Sequence, residues 1–396
     1  MLDVETGAPV SSTRMRLRAH LGQTERREPD GMERDNKIHW LTALKLGGAF
    51  MATCIGSGFA TGSECLSFFV TYGIGGALGA LAVSFVVYFL FARELFNKGQ
   101  ELEPEQCTSL FTYYFGKAVG SLLDWFSAIL VGGCYLVMLS GAGTTINQYL
   151  GWPVVAGSAL MALAAVVTVW FGLRKLTNII GVIGPFMVLF TLIIGISALG
   201  RADFSSTAAN LETLHLAKAA PNWWIAGILY PCFCMLTLTP CLPSMGATAP
   251  NKKTTTGAAL FGVIAFHLAL AVVILAILGN LDIIGTAQVP NLVLSGLMGK
   301  GVQTLFVIMI ILAIYSTACP MIWGFCGKIE RDEKSVKYRV CILALTVVGM
   351  TCSYLFPLGT LINFIYSISG YVGAAASVGM VISNILRKRN AKKRTS

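Results

Sequence analysis

Charged side chains are scarce in this sequence: 12% of its 396 residues are Asp, Glu, Lys or Arg, against 55% that are apolar. That balance excludes a soluble globular domain and leaves a polytopic membrane protein. Paired cysteine spacing is missing as well. The 11 cysteines are scattered and give neither a disulfide framework nor a zinc motif, and Cys232-x-Cys234 sits where a thiol behaves as a small buried hydrophobe. The four histidines, at 20, 39, 215 and 267, make no HExxH. No nucleotide loop or aspartate pair is present either, so neither an enzymatic centre nor a resident cofactor is expected. Residues 1 to 37 mix seven acidic with seven basic residues and hold no apolar run, unlike a signal or transit peptide. They are expected to form a mostly disordered cytoplasmic tail, in which Arg14, Arg16 and Arg18 could touch anionic lipid.

Long apolar runs are what the sequence has instead. A transmembrane helix needs roughly 20 predominantly apolar residues. Ten segments qualify: Ile38 to Val70, Ile74 to Phe96, Ala118 to Tyr149, Trp152 to Phe171, Asn178 to Leu199, Pro221 to Met245, Thr254 to Leu278, Gly301 to Phe325, Tyr338 to Phe356, and Leu358 to Leu386. Placing the N-terminus in the cytoplasm puts 26 of the 29 Lys and Arg residues on that side and leaves Arg201, Lys218 and Lys300 outside. Both tails are basic, which demands an even number of spans. The net charge of +10 therefore reports topology, not nucleic-acid binding. The expected organisation is a tail at 1–37, a transmembrane domain at 38–386, and a basic cytoplasmic tail at 387–396.

Two of these segments are interrupted. Gly56-Ser57-Gly58 breaks the first, and Pro231, Pro240 and Pro243 punctuate the sixth. Proline removes a donor and clashes with the preceding turn, so an extended stretch near Met235 to Leu238 is predicted, followed by a half-helix capped at Thr239. Spans one and six open two five-span halves, about 38–199 and 221–386, which an odd span number forces into opposite orientations. The expected fold is thus an all-α membrane protein of about ten helices in a 5+5 inverted repeat, with discontinuous helices 1 and 6. Outer connections at 200–220 and 279–300 are long enough to act as lids. The inner stretch 99–117, with Leu110, Phe111, Tyr113, Tyr114 and Phe115, reads as an interfacial amphipathic helix.

In hydrocarbon an unpaired amide or carbonyl costs several kcal/mol, so a broken helix survives where it is buried in protein or lines a polar cavity. A half-helix starting near Phe59 would offer free amides to an anion, and the first half, ending near Ile55, would offer carbonyls to a cation. Glycines at 56 and 58 would let a ligand approach the backbone; close helix packing is the alternative use for them. Glu64 follows the break as a proton carrier or a structural acceptor. His267 is a second proton-coupling candidate, with helix bridging as its alternative.

The segment Gly56-Ser-Gly-Phe-Ala-Thr-Gly-Ser-Glu64 resembles the G-A-G-F-A-T-G-x-E signature of the YkvI-type bacterial membrane proteins. That family looks like a distant branch of the amino acid, polyamine and organocation transporters with the LeuT fold, and the resemblance runs from about Ile38 to Leu386. It implies a bacterial inner membrane. It also implies a possible Na⁺ site between the carbonyls of Ala52 and Ile55 and, from span eight, the Ala313 carbonyl with the Ser316 and Thr317 hydroxyls. Back-bonding of those hydroxyls within their own helix is the alternative. A substrate pocket is implied at Gly56, Ser57, Gly58 and Phe59, with Tyr135 from span three and Tyr230, Leu236 and Thr237 from span six. Cys234 stands where that family is expected to place an amide.

The expected function is a secondary active transporter, a Na⁺- or H⁺-coupled symporter for an amino acid or related organic acid or amine. Its partners would be the lipid bilayer and a small solute. An intramembrane hydrolase using Ser57 and His267, or a sensor or scaffold that kept the fold, are the competing readings.

Overall fold

The computed structural model describes residues 37–54, 56–102, 110–170, 177–239 and 241–395. Contacts divide the chain at Lys37, and the helices all belong to the unit Ile38–Ser396. The expected tail up to residue 36 lies outside the described residues, as do Ile55, Arg174, Lys175, Pro240 and the Ser57 side chain. The described residues are helices joined by turns, with no strand among them. Six segments are long and apolar enough to cross a membrane: Ser63–Glu101, Leu110–Leu150, Lys252–Leu278, Lys300–Ile329, Val336–Leu355 and Leu358–Arg387. Val154–Trp170, Phe186–Leu199 and Trp223–Leu238 are shorter apolar helices.

The first apolar run is divided into pieces. Helix α1 (Trp40–Cys54) stops, Gly56 is extended at φ −98° and ψ −172°, and α2 (Ser57–Thr61) comes next. Gly62 then takes the left-handed region at φ 81° and ends α2, and α3 (Ser63–Phe68) begins. A side chain is excluded at 62 twice over, by its φ and because a Cβ would stand 2.8 Å from the Asn291 Oδ1. The expected half-helix from Phe59 is corrected accordingly: it starts at Ser57 and is cut again after one turn.

Helices α4 (Gly73–Glu101), α5 (Leu110–Leu150), α6 (Val154–Trp170) and α7 (Thr177–Leu199) complete the first half of the chain. In α5 Gly116 leaves helical geometry at φ 74° and ψ 178°. The helix expected over 99–117 is therefore corrected. Its beginning is the end of α4, 103–109 lie outside the described residues, and only Leu110 to Phe115 form a separate helical turn before the kink. The outer connection carries α8 (Thr207–Leu214), pinned where the Asp203 amide donates to the Gly279 carbonyl at 2.7 Å. The exposed Asp203 carboxylate accepts from the Ser205 hydroxyl and amide, which hold it below the usual carboxylate range.

Span six differs from its expected form. Helix α9 (Trp223–Leu238) runs through Pro231, and Met235 to Leu238 are helical. Thr239 continues the turn at φ −52° and ψ −37°, with both its amide and its hydroxyl bonded to the Met235 carbonyl, at 2.8 and 2.6 Å. A hydroxyl satisfied by back-bonding is not available to cap the next helix, so the expected Thr239 cap is not formed. The helix gives way only beyond Thr239, and α10 (Leu242–Gly246) starts with Pro243 in its first turn.

The remaining elements are α11 (Lys252–Leu278), the lid helices α12 (Leu281–Ile284) and α13 (Pro290–Gly296), α14 (Lys300–Ile329), α15 (Val336–Leu355) and α16 (Leu358–Thr395). Small residues set the closest helix crossings, as expected where lipid supplies no hydrophobic drive. A Cβ on Gly47 of α1 would lie 2.6 Å from the Ala258 carbonyl oxygen, and one on Gly262 of α11 would lie 2.7 Å from the Gly47 oxygen. Away from these seams, large apolar side chains such as Leu41, Val86, Leu90, Leu268 and Val347 are exposed, as a lipid-facing surface requires.

Neighbouring glycines test that packing. Gly47→Ala should lower the apparent melting temperature of the purified protein, because backbone must shift at a cost of about 1–3 kcal/mol. Gly48→Ala, whose Cβ meets nothing within 4 Å, should leave the temperature unchanged. Equal effects of the two would contradict the crossing.

Candidate functional site

The turn at Gly62 sends the chain back on itself, so that Glu64 in the first turn of α3 faces the start of α2. Its carboxyl lies directly against the backbone of Gly58: a Cβ there would stand 1.8 Å from Oε1. The other oxygen accepts a hydrogen bond of 3.2 Å from the Tyr230 hydroxyl of α9. Glu64 is 7% exposed and Tyr230 0%, and no cation pairs with Glu64 among the described residues. Gly58 and Glu64 from the first span and Tyr230 from the sixth, named separately from the sequence, thus converge on one contact.

Aromatic rings enclose it. Around Tyr230 lie Phe69 at 5.1 Å, Phe68 at 5.4 Å, Phe233 at 5.5 Å, Tyr88 at 6.3 Å and Phe266 at 6.4 Å between centroids. Phe233 stacks at 4.4 Å on Tyr366 of α16. The thiols of Cys65, Cys134 and Cys234 and the Tyr366 hydroxyl lie within electrostatic reach of the Glu64 carboxyl. The result is a carboxyl in a shell of rings and weakly polar groups drawn from α3, α4, α5, α9, α11 and α16.

Both ends of this centre are closed. On one side the Asn291 amide of α13 donates to the carbonyls of Phe59 and Ala60, at 3.2 and 3.0 Å. At the turn the Gly62 amide still donates to the Phe59 carbonyl at 3.1 Å, whereas the Ala60 carbonyl loses its helical donor and takes Asn291 instead. Ser63 Oγ donates to the Gln288 carbonyl at 2.5 Å, and Gln148 of α5 exchanges two bonds with the Val289 backbone, at 3.0 and 3.2 Å. On the other side, where the basic residues gather, Glu94 accepts from Tyr114 and Asn384, each at 2.6 Å, and Glu101 binds Lys98 at 2.6 Å and Lys252 at 2.7 Å. Gln100 closes the loop between α10 and α11 by donating to the carbonyls of Gly246 and Ala249, each at 2.7 Å.

Other candidates point elsewhere. The Tyr135 hydroxyl meets Thr346 of α15 at 3.2 Å, away from Tyr230. Phe59 is the exception: its ring packs at 6.2 Å on Phe266, one of the rings around Tyr230. The Leu236 carbonyl accepts from Ser127 at 2.9 Å, and Thr237 bonds back to Cys234 at 2.7 Å, so neither offers a free group of an unwound segment. Ser316 and Thr317 both donate to the Ala313 carbonyl, at 2.8 and 2.9 Å, so these three cation-ligand candidates satisfy one another. Pro320 in the same helix removes the amide that would otherwise bond the Ser316 carbonyl. Ala52 is half-buried on α1, and Ile55 lies outside the described residues. His267 is bonded on both ring nitrogens, to its own helix at the Val263 carbonyl (3.0 Å) and to Ser84 of α4 (3.1 Å), which bridges α4 and α11. An imidazole so engaged is not free to serve as base for a serine in the first span.

No family model matches the chain. The uncharacterized membrane protein YkvI of Bacillus subtilis (strain 168) is 22% identical over 352 residues, which is 88% of this chain and 98% of YkvI. The uncharacterized protein YyaD of the same strain is 23% identical over 358 residues, 88% of this chain and 99% of YyaD. The crystal structure of MhsT in complex with L-phenylalanine superposes at a TM-score of 0.54, with 15% identity, covering 86% of this chain and 89% of MhsT. This chain is similar to YkvI over most of both lengths and has the LeuT fold. A mutant manganese transporter of Eremococcus coleocola superposes at a TM-score of 0.49, with 13% identity over 90% of this chain and 80% of its own. In this YkvI relative the residues that sequence reading left out are chiefly Asn291, Gln288 and Gln148. The sequence signal for Asn291 is an amide beside Pro290 in the long connection 279–300; Gln148, near the end of α5, carries no such signal.

The outer closure can be tested on Asn291. Asn291→Ala removes the donor to the buried Ala60 carbonyl, a loss worth about 1–3 kcal/mol, while the Phe59 carbonyl keeps its bond from the Gly62 amide. Peptide-resolved thiol labelling should then show Cys65 reacting faster than in wild type and Cys341 unchanged. An unaltered Cys65 rate would mean that Asn291 does not hold the lid.

Proposed function

We propose that this YkvI relative is a secondary active transporter that carries a small solute by alternating access, with the solute bound where the broken first and sixth spans meet. The reading includes about ten spans in a 5+5 inverted repeat, a bacterial inner membrane and both termini in the cytoplasm. It is carried by one observation: a buried carboxyl without a cationic partner, laid on Gly58 of the first span and bonded by Tyr230 of the sixth. For stability alone an apolar side chain would serve better at position 64, and an intramembrane carboxyl is a functional residue by default. Hydrogen-bonded closures on both sides of that carboxyl support the idea of a centre reached alternately from each face.

In this cycle the lid bonds of Asn291 and Ser63 release to admit solute from outside, and the bonds of Glu94, Gln100 and Glu101 release to discharge it inside. Glu64 changes partners during the cycle, and proton exchange at its carboxyl is the coupling step favoured by geometry. Sodium coupling at Ala52, Ile55, Ala313, Ser316 and Thr317 is the second possibility, and it requires both hydroxyls to turn away from the Ala313 carbonyl. An amino acid is the solute class to try first, since the fold relative MhsT was solved with L-phenylalanine.

The test is uptake of L-phenylalanine and a panel of other amino acids into proteoliposomes under an imposed pH or Na⁺ gradient. Wild-type protein should accumulate at least one solute at least tenfold above protein-free vesicles, and Glu64→Gln should abolish accumulation driven by the pH gradient while remaining monodisperse. Binding without accumulation would replace the transporter by a sensor, and full pH-driven uptake in Glu64→Gln would remove Glu64 from coupling. If sodium drives uptake, Thr317→Ala should abolish its sodium dependence; unchanged dependence would sink that ion site.

A further inference from the structure

Three basic residues, Arg93 near the end of α4 and Lys252 and Lys253 at the start of α11, stand together beside two apolar clefts. One cleft, of about 560 Å³, follows α11 past Leu260, Phe261 and Ile264. The other, of about 880 Å³, follows α4 past Val87, Leu90 and Phe91 and is walled by Val381 and Ile382 of α16. Both are bordered by Arg93, Asn97 and Lys252, so two apolar grooves meet at one basic centre. From Lys253 to Ile264 a helix rises roughly 16 Å at 1.5 Å per residue. That is about half of a hydrocarbon core of about 30 Å, the depth of one leaflet.

The charges at this centre are not cancelled. Glu101 engages Lys252 and Lys98, and Glu94, which also borders the larger cleft, engages Tyr114, Asn384 and Lys98. Arg93 and Lys253 are exposed and have no ion pair or hydrogen bond among the described residues. The frame that presents them is fixed. Thr255 of α11 donates to Asn97 of α4 at 2.6 Å, and the His39 amide, just before α1, donates to Thr254 at 3.1 Å. Cations held at the mouth of leaflet-deep apolar grooves complement a lipid phosphate with its chains attached. A soluble anion would have no use for the grooves, and a zwitterionic headgroup would bring its own cation against the same residues.

We propose that this centre binds an anionic phospholipid of the leaflet at the lysine-rich end, its phosphate held by Arg93 and Lys253 beside Lys252 and one acyl chain lying in each cleft. The probes are phosphatidylglycerol, phosphatidylcholine of matched chains, and inorganic phosphate, added to delipidated full-length protein. Readouts are lipid retained per protein by native mass spectrometry and the shift in melting temperature. Phosphatidylglycerol should be retained and stabilising, phosphatidylcholine and inorganic phosphate should be neither, and the double variant Arg93→Gln with Lys253→Gln should retain at least fivefold less phosphatidylglycerol. Lys334→Gln, which removes a distant exposed charge, should match wild type. Wild-type retention by the double variant would overturn the site. Equal retention of phosphatidylcholine, or equal stabilisation by inorganic phosphate, would overturn its assignment to an anionic lipid. Both substitutions are at exposed positions, and an unchanged elution volume of the double variant keeps loss of binding distinct from loss of fold.

Discussion

A carboxyl group and an interrupted helix are each costly in the low-dielectric interior of a bilayer, and residues 56 to 64 bring the two together. Gly56 opens the helix, Gly62 turns it, and Gly58 supplies the space in which the Glu64 carboxyl lies. Any side chain at 58 would occupy the position of that carboxyl. Tyr230 of α9 then supplies the one hydrogen bond seen, and rings from four helices crowd around it. The surrounding helices pack as they do because this polar centre has to be enclosed.

The same constraint explains the two closures. Turning the chain at Gly62 leaves the Ala60 carbonyl without a helical donor, and the Asn291 amide of α13 reaches it, together with the Phe59 carbonyl, from outside the helix. Those bonds hold α13 over the turn at Gly62. The inner side uses longer, charged side chains at the membrane surface, where Glu94 and Glu101 gather Lys98, Lys252, Tyr114 and Asn384. Water competes for the more exposed Lys252–Glu101 pair, which is individually weak.

Much of this was legible in the residues because breaks in long apolar runs have few causes. Gly-Ser-Gly within Ile38 to Val70 located the first break and Glu64 beside it, and the positions of the helices track the apolar runs to within a few residues at most ends. The sixth span was harder. Proline marks where a helix is disturbed, yet α9 absorbs Pro231 and continues to Leu238, because the Thr239 hydroxyl bonds backward instead of capping forward. Side-chain direction was the other limit. Tyr135 and Tyr230 looked alike in sequence, but only Tyr230 reaches Glu64, while Tyr135 turns to Thr346. The long connection holding Val289-Pro290-Asn291-Leu292 stood out in sequence, but the bonds of Asn291 could not be read, since they depend on carbonyls 231 and 232 residues earlier in the chain.

The contact between Gly58 and Glu64 can be measured by thermal denaturation of wild type, Gly58→Ala, Glu64→Ala and the double variant. Removing the carboxyl makes room for a methyl group at 58, so Gly58→Ala should be clearly destabilising in wild type and nearly neutral with Glu64→Ala present. Residues in contact couple by about 0.5–3 kcal/mol, and a coupling in that range is the predicted result. Strictly additive losses would show that the carboxyl does not lie on the broken helix, and the account of the site would fail with it.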